Sequence, residues 1–343
     1  MAIAVLCEVL VGAPAFAGKT TLRVGYDLPP FTQPGRTIEV WAETVMKKSD
    51  GRIKVETYPS ASIGEQKSTI DILLSGVADA MLVSFSTHRG FFPLSNIGGL
   101  PGLGFPDTIE GHAAHAKTLQ LIIEKYPAVA KEFKDFIILI DIPNSNNFLL
   151  SKDKLIRTPD DLKGLKIGGT GVSLQLAKVV DAAGIFCVPP LIYQQMQTGV
   201  IDIATIHFPG IKDFKLYEVG KSVTLVSFGQ SEIPLVMSKR SWNKLSAEEQ
   251  QIITEAAKDA QKIGFEIVQE YNKIGRDDMN GSGGQIVDPG TEEYAAWEKQ
   301  FKIIWEMWVS DRQKEGVDDA SKILKDWKTA SYNSWKRQEL AND

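Results

Sequence analysis

The sequence predicts an α/β protein of two lobes tied together by long C-terminal helices, a clamshell arrangement. Three observations carry this reading. Strand and helix patterns alternate through residues 21–83, a second strand-loop-helix unit opens near residue 158, and the C-terminal third reads as helices.

In the first lobe, Thr21 to Tyr26 alternates apolar and polar residues as a strand does, and a Pro/Gly-rich turn leads to helical spacing over Ile38–Lys48. Ile53–Tyr58 alternates again, Ser68–Ser75 reads as a short helix, and Ala80–Val83 as a buried strand. The resulting βαβαβ order is that of a doubly wound lobe.

The second unit begins where Thr158 caps a turn with Pro159 at its first position and Asp160 and Asp161 at its N-terminus. Gly164 ends that turn, Leu165–Ile167 is a strand, Gly168–Gly171 a loop, and Ser173–Ala183 a helix closed by Gly184. Further on, Leu245–Glu249 forms a staple and capping box ahead of a long helix marked by Ile252, Ile253, Ala256, Ala260, Ile263, Ile267 and Tyr271. Two more helices are expected at Thr291–Trp308 and Asp318–Trp327. Trp297, Phe301, Trp305 and Trp308 recur along the first of these as a core stripe.

Composition fits a folded chain: 343 residues, 43% hydrophobic and 24% charged, with a net charge of -5. No dense basic block offers a footprint for nucleic acid or an anionic bilayer, so neither is an expected partner. Residues 1–17 form an apolar stretch ending in Ala15-Phe16-Ala17, a small-x-small pattern that predicts a signal peptide cleaved after Ala17 and export to the periplasm. The stretch lacks a basic n-region, which leaves its true start open. Cys7 would leave with it, and Cys187, in an apolar run, reads as a buried small hydrophobe that forms no internal disulfide or metal site. Chain order then assigns 18–145 mainly to lobe I, 146–240 mainly to lobe II and 241–343 to the linking helices.

Several catalytic patterns fail on their spacing. Gly169-Thr170-Gly171 would need a third glycine at Leu174 to hold a dinucleotide. His112 and His115 lie three apart on a helix without a spaced acidic or cysteine partner, and read as an exposed surface. No Gly-x-Ser-x-Gly elbow is present. No enzyme activity, metal or cofactor is expected.

Asp50–Ser60, Ile63-Gly64, Leu74–Ala80, Thr158–Ile167, Tyr193–Asp202 and Trp242–Gln250 together resemble the DctP-like solute-binding family of tripartite ATP-independent periplasmic (TRAP) transporters. The likeness runs in order over nearly the whole mature chain. It implies a type II-like periplasmic-binding-protein clamshell, a long helix spanning both lobes, and a small organic solute captured between them. It also implies small and large membrane permease subunits as partners, and a monomeric receptor. A periplasmic sensing module for a signalling partner is the alternative.

In most relatives an Arg follows the Gly-Leu-Lys-Ile type strand and pairs with the solute carboxylate, whereas this chain has Gly168 there. The Gly199-Val200-Ile201-Asp202 signature likewise continues as Ile203-Ala204-Thr205-Ile206-His207 instead of the usual Gly-x-Glu-Asn. Two readings stay open: a neutral, cationic or otherwise unusual solute, or an anion held by the Gly168–Gly171 loop or by Arg89. Because ligands sit beyond strand carboxyl ends, the expected lining is Ser84, Phe85, Ser86, Asn146, Asn147, Gly168, Thr170, Thr205 and His207, with Phe31 and Gln33 approaching from the first loop. For each, the competing role is local backbone capping.

Overall fold

The computed structural model describes residues 19–342. The expected signal peptide, Cys7 included, lies outside the described residues.

Eleven strands are found among the described residues: β1 (Thr20–Gly25), β2 (Ile53–Tyr58), β3 (Ala80–Leu82), β4 (Phe136–Ile140), β5 (Phe148–Ser151), β6 (Lys166–Gly169), β7 (Ala183–Phe186), β8 (Ile203–Ile206), β9 (Ser222–Thr224), β10 (Leu235–Ser238) and β11 (Gln285–Val287). They build two sheets, one in each lobe, ordered β2-β1-β3-β10-β4 and β11-β9-β5-β8-β6-β7.

In the first sheet β1 is parallel to β2 and β3, while β10 is antiparallel to β3 and β4. In the second, β6 is parallel to β7 and β8, while β5 is antiparallel to β8 and β9. β5 and β10 are the strands reached by crossing between lobes, through residues 141–147 and 225–234. β10 therefore belongs to the first sheet although it lies within the 146–240 segment, and β11 returns to the second.

The helix Gln33–Lys48 starts earlier than its spacing predicts, because Thr32 caps it by accepting the Gly35 N–H and Pro34 stands in its first turn. The helix after β6 is shorter than expected, Val172–Val179. Asp181 takes a left-handed φ of 55°, and the chain then enters β7, which places Gly184 in a strand.

The spine is a 35-residue helix, Ala247–Gly281, opened by a Ser246/Glu249 capping box. Its Ile253, Ala256 and Ala260 pack with Trp41 and Val45 in the first lobe. Toward its other end Gly275 lies directly on the Phe208 backbone, where any side chain would collide. One helix thus touches both lobes.

Two further helices, Thr291–Lys314 and Ala320–Asn342, complete the molecule. Trp297, Phe301 and Trp308 are buried, with indole N–H groups donated to Arg157 O (2.8 Å, from Trp297) and Pro93 O (3.3 Å, from Trp308), so the aromatic stripe is core. The last helix covers Ile109–Lys125, with Trp327 donating to Leu103 O at 3.0 Å. That cover over His115, with Phe265 of the spine stacked on His112 at 6.3 Å, overturns the expectation of an exposed surface for both. His112 is 2% exposed, and the His115 nitrogens lie 3.9 and 3.7 Å from Asp141 and Glu232.

Candidate functional site

The carboxyl ends of β1 and β3 face those of β6 and β8 across a cleft with a cavity volume of about 120 Å³. Because β5 and β10 run antiparallel to their neighbours, the two crossings also end at this edge and contribute Asn144, Asn147 and Ser231.

Six of the residues expected at the site line it: Ser84, Ser86, Asn147, Thr170, Thr205 and His207. Ser84 and Ser86 hydroxyls are 3.0 Å apart, and Ser86 Oγ reaches Thr170 Oγ1 of the opposite lobe at 3.3 Å. Thr205 Oγ1 pairs with Ser173 Oγ at the start of the helix Val172–Val179. Gly171 caps that helix with φ 48°, and Ser86 packs so closely there that an added Cβ would sit 3.4 Å from it.

His207 caps the short helix Phe208–Asp213: the Gly210 N–H donates to its Nδ1 at 2.9 Å. Burial lowers its pKa to about 4, so the ring is neutral and carries its proton on Nε2. The cleft thereby gains a fixed donor.

The other six expected residues are placed elsewhere. Phe31 is 55% exposed, and only its backbone is engaged, its carbonyl accepting the Tyr271 hydroxyl at 3.0 Å. Gln33 is buried in the first turn of its helix, behind the lining, because that helix begins at it. Phe85 points into the core and stacks on Phe92 at 4.3 Å, as strand alternation between Ser84 and Ser86 dictates. Asn146 is buried in the first crossing between the lobes, where its amide donates to Phe105 O at 2.7 Å and to Asp107 Oδ1 at 3.1 Å.

Arg89 borders a neighbouring cavity with Arg312 and Glu315, outside the cleft lining. At Gly168, a Cβ would lie 2.6 Å from Ile201 Cδ1, so this position faces the interior of the second lobe. Its neighbour Gly169 is the one at the cleft.

Several lining residues were not singled out in the sequence. Asp27 follows β1, Gln66 and Asn96 belong to the first lobe, and Ser173, Cys187 and Asp213 to the second. Burial raises Asp27 and Asp213 to about 6. Asp213 also bridges the lobes, accepting the Gln33 N–H at 3.3 Å while the Lys212 ammonium sits 3.2 Å away. The strand-end rule pointed to Asp27 as clearly as to Ser84. Cys187 is buried and free as expected, and its thiol is raised to about 11, which makes it unreactive.

No helix among the described residues is long and apolar enough to cross a membrane. No group of acidic, histidine or cysteine side chains among them is arranged to hold a metal ion.

The family profile of the bacterial extracellular solute-binding proteins, family 7, matches residues 24–311. A solute-binding protein of Chromohalobacter salexigens is 26% identical over 84% of both chains. The C4-dicarboxylate-binding periplasmic protein DctP of Rhodobacter capsulatus is 24% identical, over 84% of this chain and 86% of its own. Among solved structures, a marine metagenome TRAP solute-binding protein specific for aromatic acid ligands superposes with a TM-score of 0.83 at 22% identity, covering 92% of this chain and 99% of that one. A TRAP periplasmic solute-binding protein of Chromohalobacter salexigens with bound D-glucuronate gives 0.79 at 24% identity, covering 90% and 99%. These structures share the two-lobed fold. With a family profile spanning most of its length, the chain belongs to the DctP family of bacterial extracellular solute-binding proteins.

Proposed function

We propose that this chain is the extracytoplasmic receptor of a TRAP transporter, capturing a small organic solute between its lobes and delivering it to membrane permease subunits. The observation that carries this reading is the polar cleft closed from both sides, with Ser86 and Thr170 in contact across it. Relatives named for C4-dicarboxylates and sialic acid support the receptor role and a periplasmic location.

The work done is binding and closure, with the solute chemically unchanged. A solute touching both lobes stabilises the closed state over the open one by the difference in its contacts with the two. The spine helix and the two crossings hold the lobes in register while they move.

Reconstitution with the small and large permease subunits tests the reading. A solute that raises the melting temperature of the purified chain is expected to accumulate in vesicles only when the chain is added. Equal accumulation without it would overturn the proposal.

A further inference from the structure

We propose that the cleft anchors its solute through a cationic nitrogen at Asp27, so that the solutes captured are small polar amines, ammonium compounds or zwitterions. This rests on the receptor reading above and names its ligand class.

Asp27 lines the cleft, and among the described residues its carboxylate has no partner beyond its own backbone N–H. The other lining carboxylate, Asp213, is already engaged by Lys212 at 3.2 Å and by the Gln33 N–H at 3.3 Å. No lysine or arginine is present among the described residues lining the cleft. Arg89 borders the adjoining cavity instead, and Gly168 faces the lobe interior.

A part-buried carboxylate without a counter-charge is unfavourable, and a bound cation offsets that cost by direct charge pairing, joined by a charge-assisted hydrogen bond where the cation carries an N–H. A solute whose only charge is a carboxylate would meet Asp27 with like charge and find no guanidinium fork in return. The rest of the lining suits the remainder of such a molecule. The His207 Nε2–H, and the N–H that the Asn144 and Asn147 amides each keep beside the one donated to Ser231 O and Gly229 O, offer donors to a hydroxyl, carbonyl or zwitterion carboxylate, and Ile192 and Phe228 line the space for its methylenes.

The test is a melting-temperature screen with calorimetric titration of the hits, using four probe sets: choline and putrescine, glycine betaine and γ-aminobutyrate, glucuronate and benzoate, glycerol and myo-inositol. Stabilisation by cationic or zwitterionic probes alone is expected. Asp27→Asn should weaken that binding by about tenfold to a hundredfold, while its melting temperature without ligand stays at or above that of the unmodified chain.

Stabilisation confined to the anionic or neutral probes, or equal affinity in Asp27→Asn, would overturn the cation anchor and leave the receptor reading standing. Stabilisation by none of the four sets would count against the receptor reading itself, and the cation anchor would fall with it.

Discussion

The hydroxyls of Ser86 and Thr170 lie 3.3 Å apart, although one follows a strand of the first sheet and the other a strand of the second. Their contact marks the closed edge of the cleft. A bulky side chain at this point must hold the lobes apart without entering either core, since both residues are only partly buried. Thr170→Trp is expected to weaken solute binding at least tenfold with little change in melting temperature. Small-angle scattering should show that adding solute no longer contracts the particle; normal contraction would contradict this role.

His207 and Asn147 approach the cleft from the carboxyl end of β8 and the amino end of β5. Replacing each by Ala removes a hydrogen-bonding group at the cleft, worth about 1 kcal/mol or more, or roughly five- to tenfold in affinity. Calorimetric titration with a confirmed solute checks this. Unchanged affinity in both variants would remove these residues from the site.

Asp27 also makes a prediction about pH. Its folded pKa of about 6 lies above the ordinary 3.8, so the folded chain holds the proton more tightly than the unfolded one. Ionisation therefore costs stability, a cost absent below about pH 4 and complete well above pH 6. Asp27→Asn is expected to exceed the unmodified chain in stability by on the order of 2 kcal/mol near pH 8. The gap should shrink as pH falls through 6 and close near pH 4. Urea titrations of both proteins across that range decide it, and a gap that grows toward acid would contradict the burial of this carboxylate.

His115 lies between two buried acids, Asp141 at 3.9 Å and Glu232 at 3.7 Å, beside both interlobe crossings. Burial works against its charge, but the two carboxylates hold its pKa above the ordinary value. His115→Gln removes the basic group set between two acids that burial already pushes toward their neutral forms, and is expected to cost about 3 kcal/mol. Chemical denaturation measures this directly. A change below about 0.5 kcal/mol, the usual size at an open surface position, would show that the cluster carries no net charge interaction.

Local patterns carried most of the fold to the surface of the sequence. The capping box at Ser246, the alternation in β1 and β2 and the aromatic stripe at Trp297, Phe301 and Trp308 are each decided within a few residues, and each formed as read. What the sequence hid was set by distant chain. β10 and β11 exchange lobes through pairings that no local period records. His115 is covered by Trp327 of a helix some two hundred residues later and His112 by Phe265 of the spine, so their polar type suggested a surface that the fold removes.

The site divides the same way. The rule that ligands lie beyond strand carboxyl ends located Ser84, Ser86, Thr170, Thr205 and His207, because it depends only on strand order. It did not resolve which face a neighbouring residue takes. Phe85 turns inward between two lining serines, and Gly168 turns inward beside a lining Gly169. Asp213 sits on a six-residue helix too short to show a pattern, and its role as a bridge to Gln33 depends on two lobes meeting.

Hydrogen-deuterium exchange of the chain with and without a stabilising solute tests the central claim most directly. Binding between the lobes should slow exchange together at residues 84–88, 169–173 and 205–210, which come from both sheets. Protection confined to one lobe, or to the surface groove between Thr118–Lys125 and Asp326–Asn333, would place the solute outside the cleft and contradict the account.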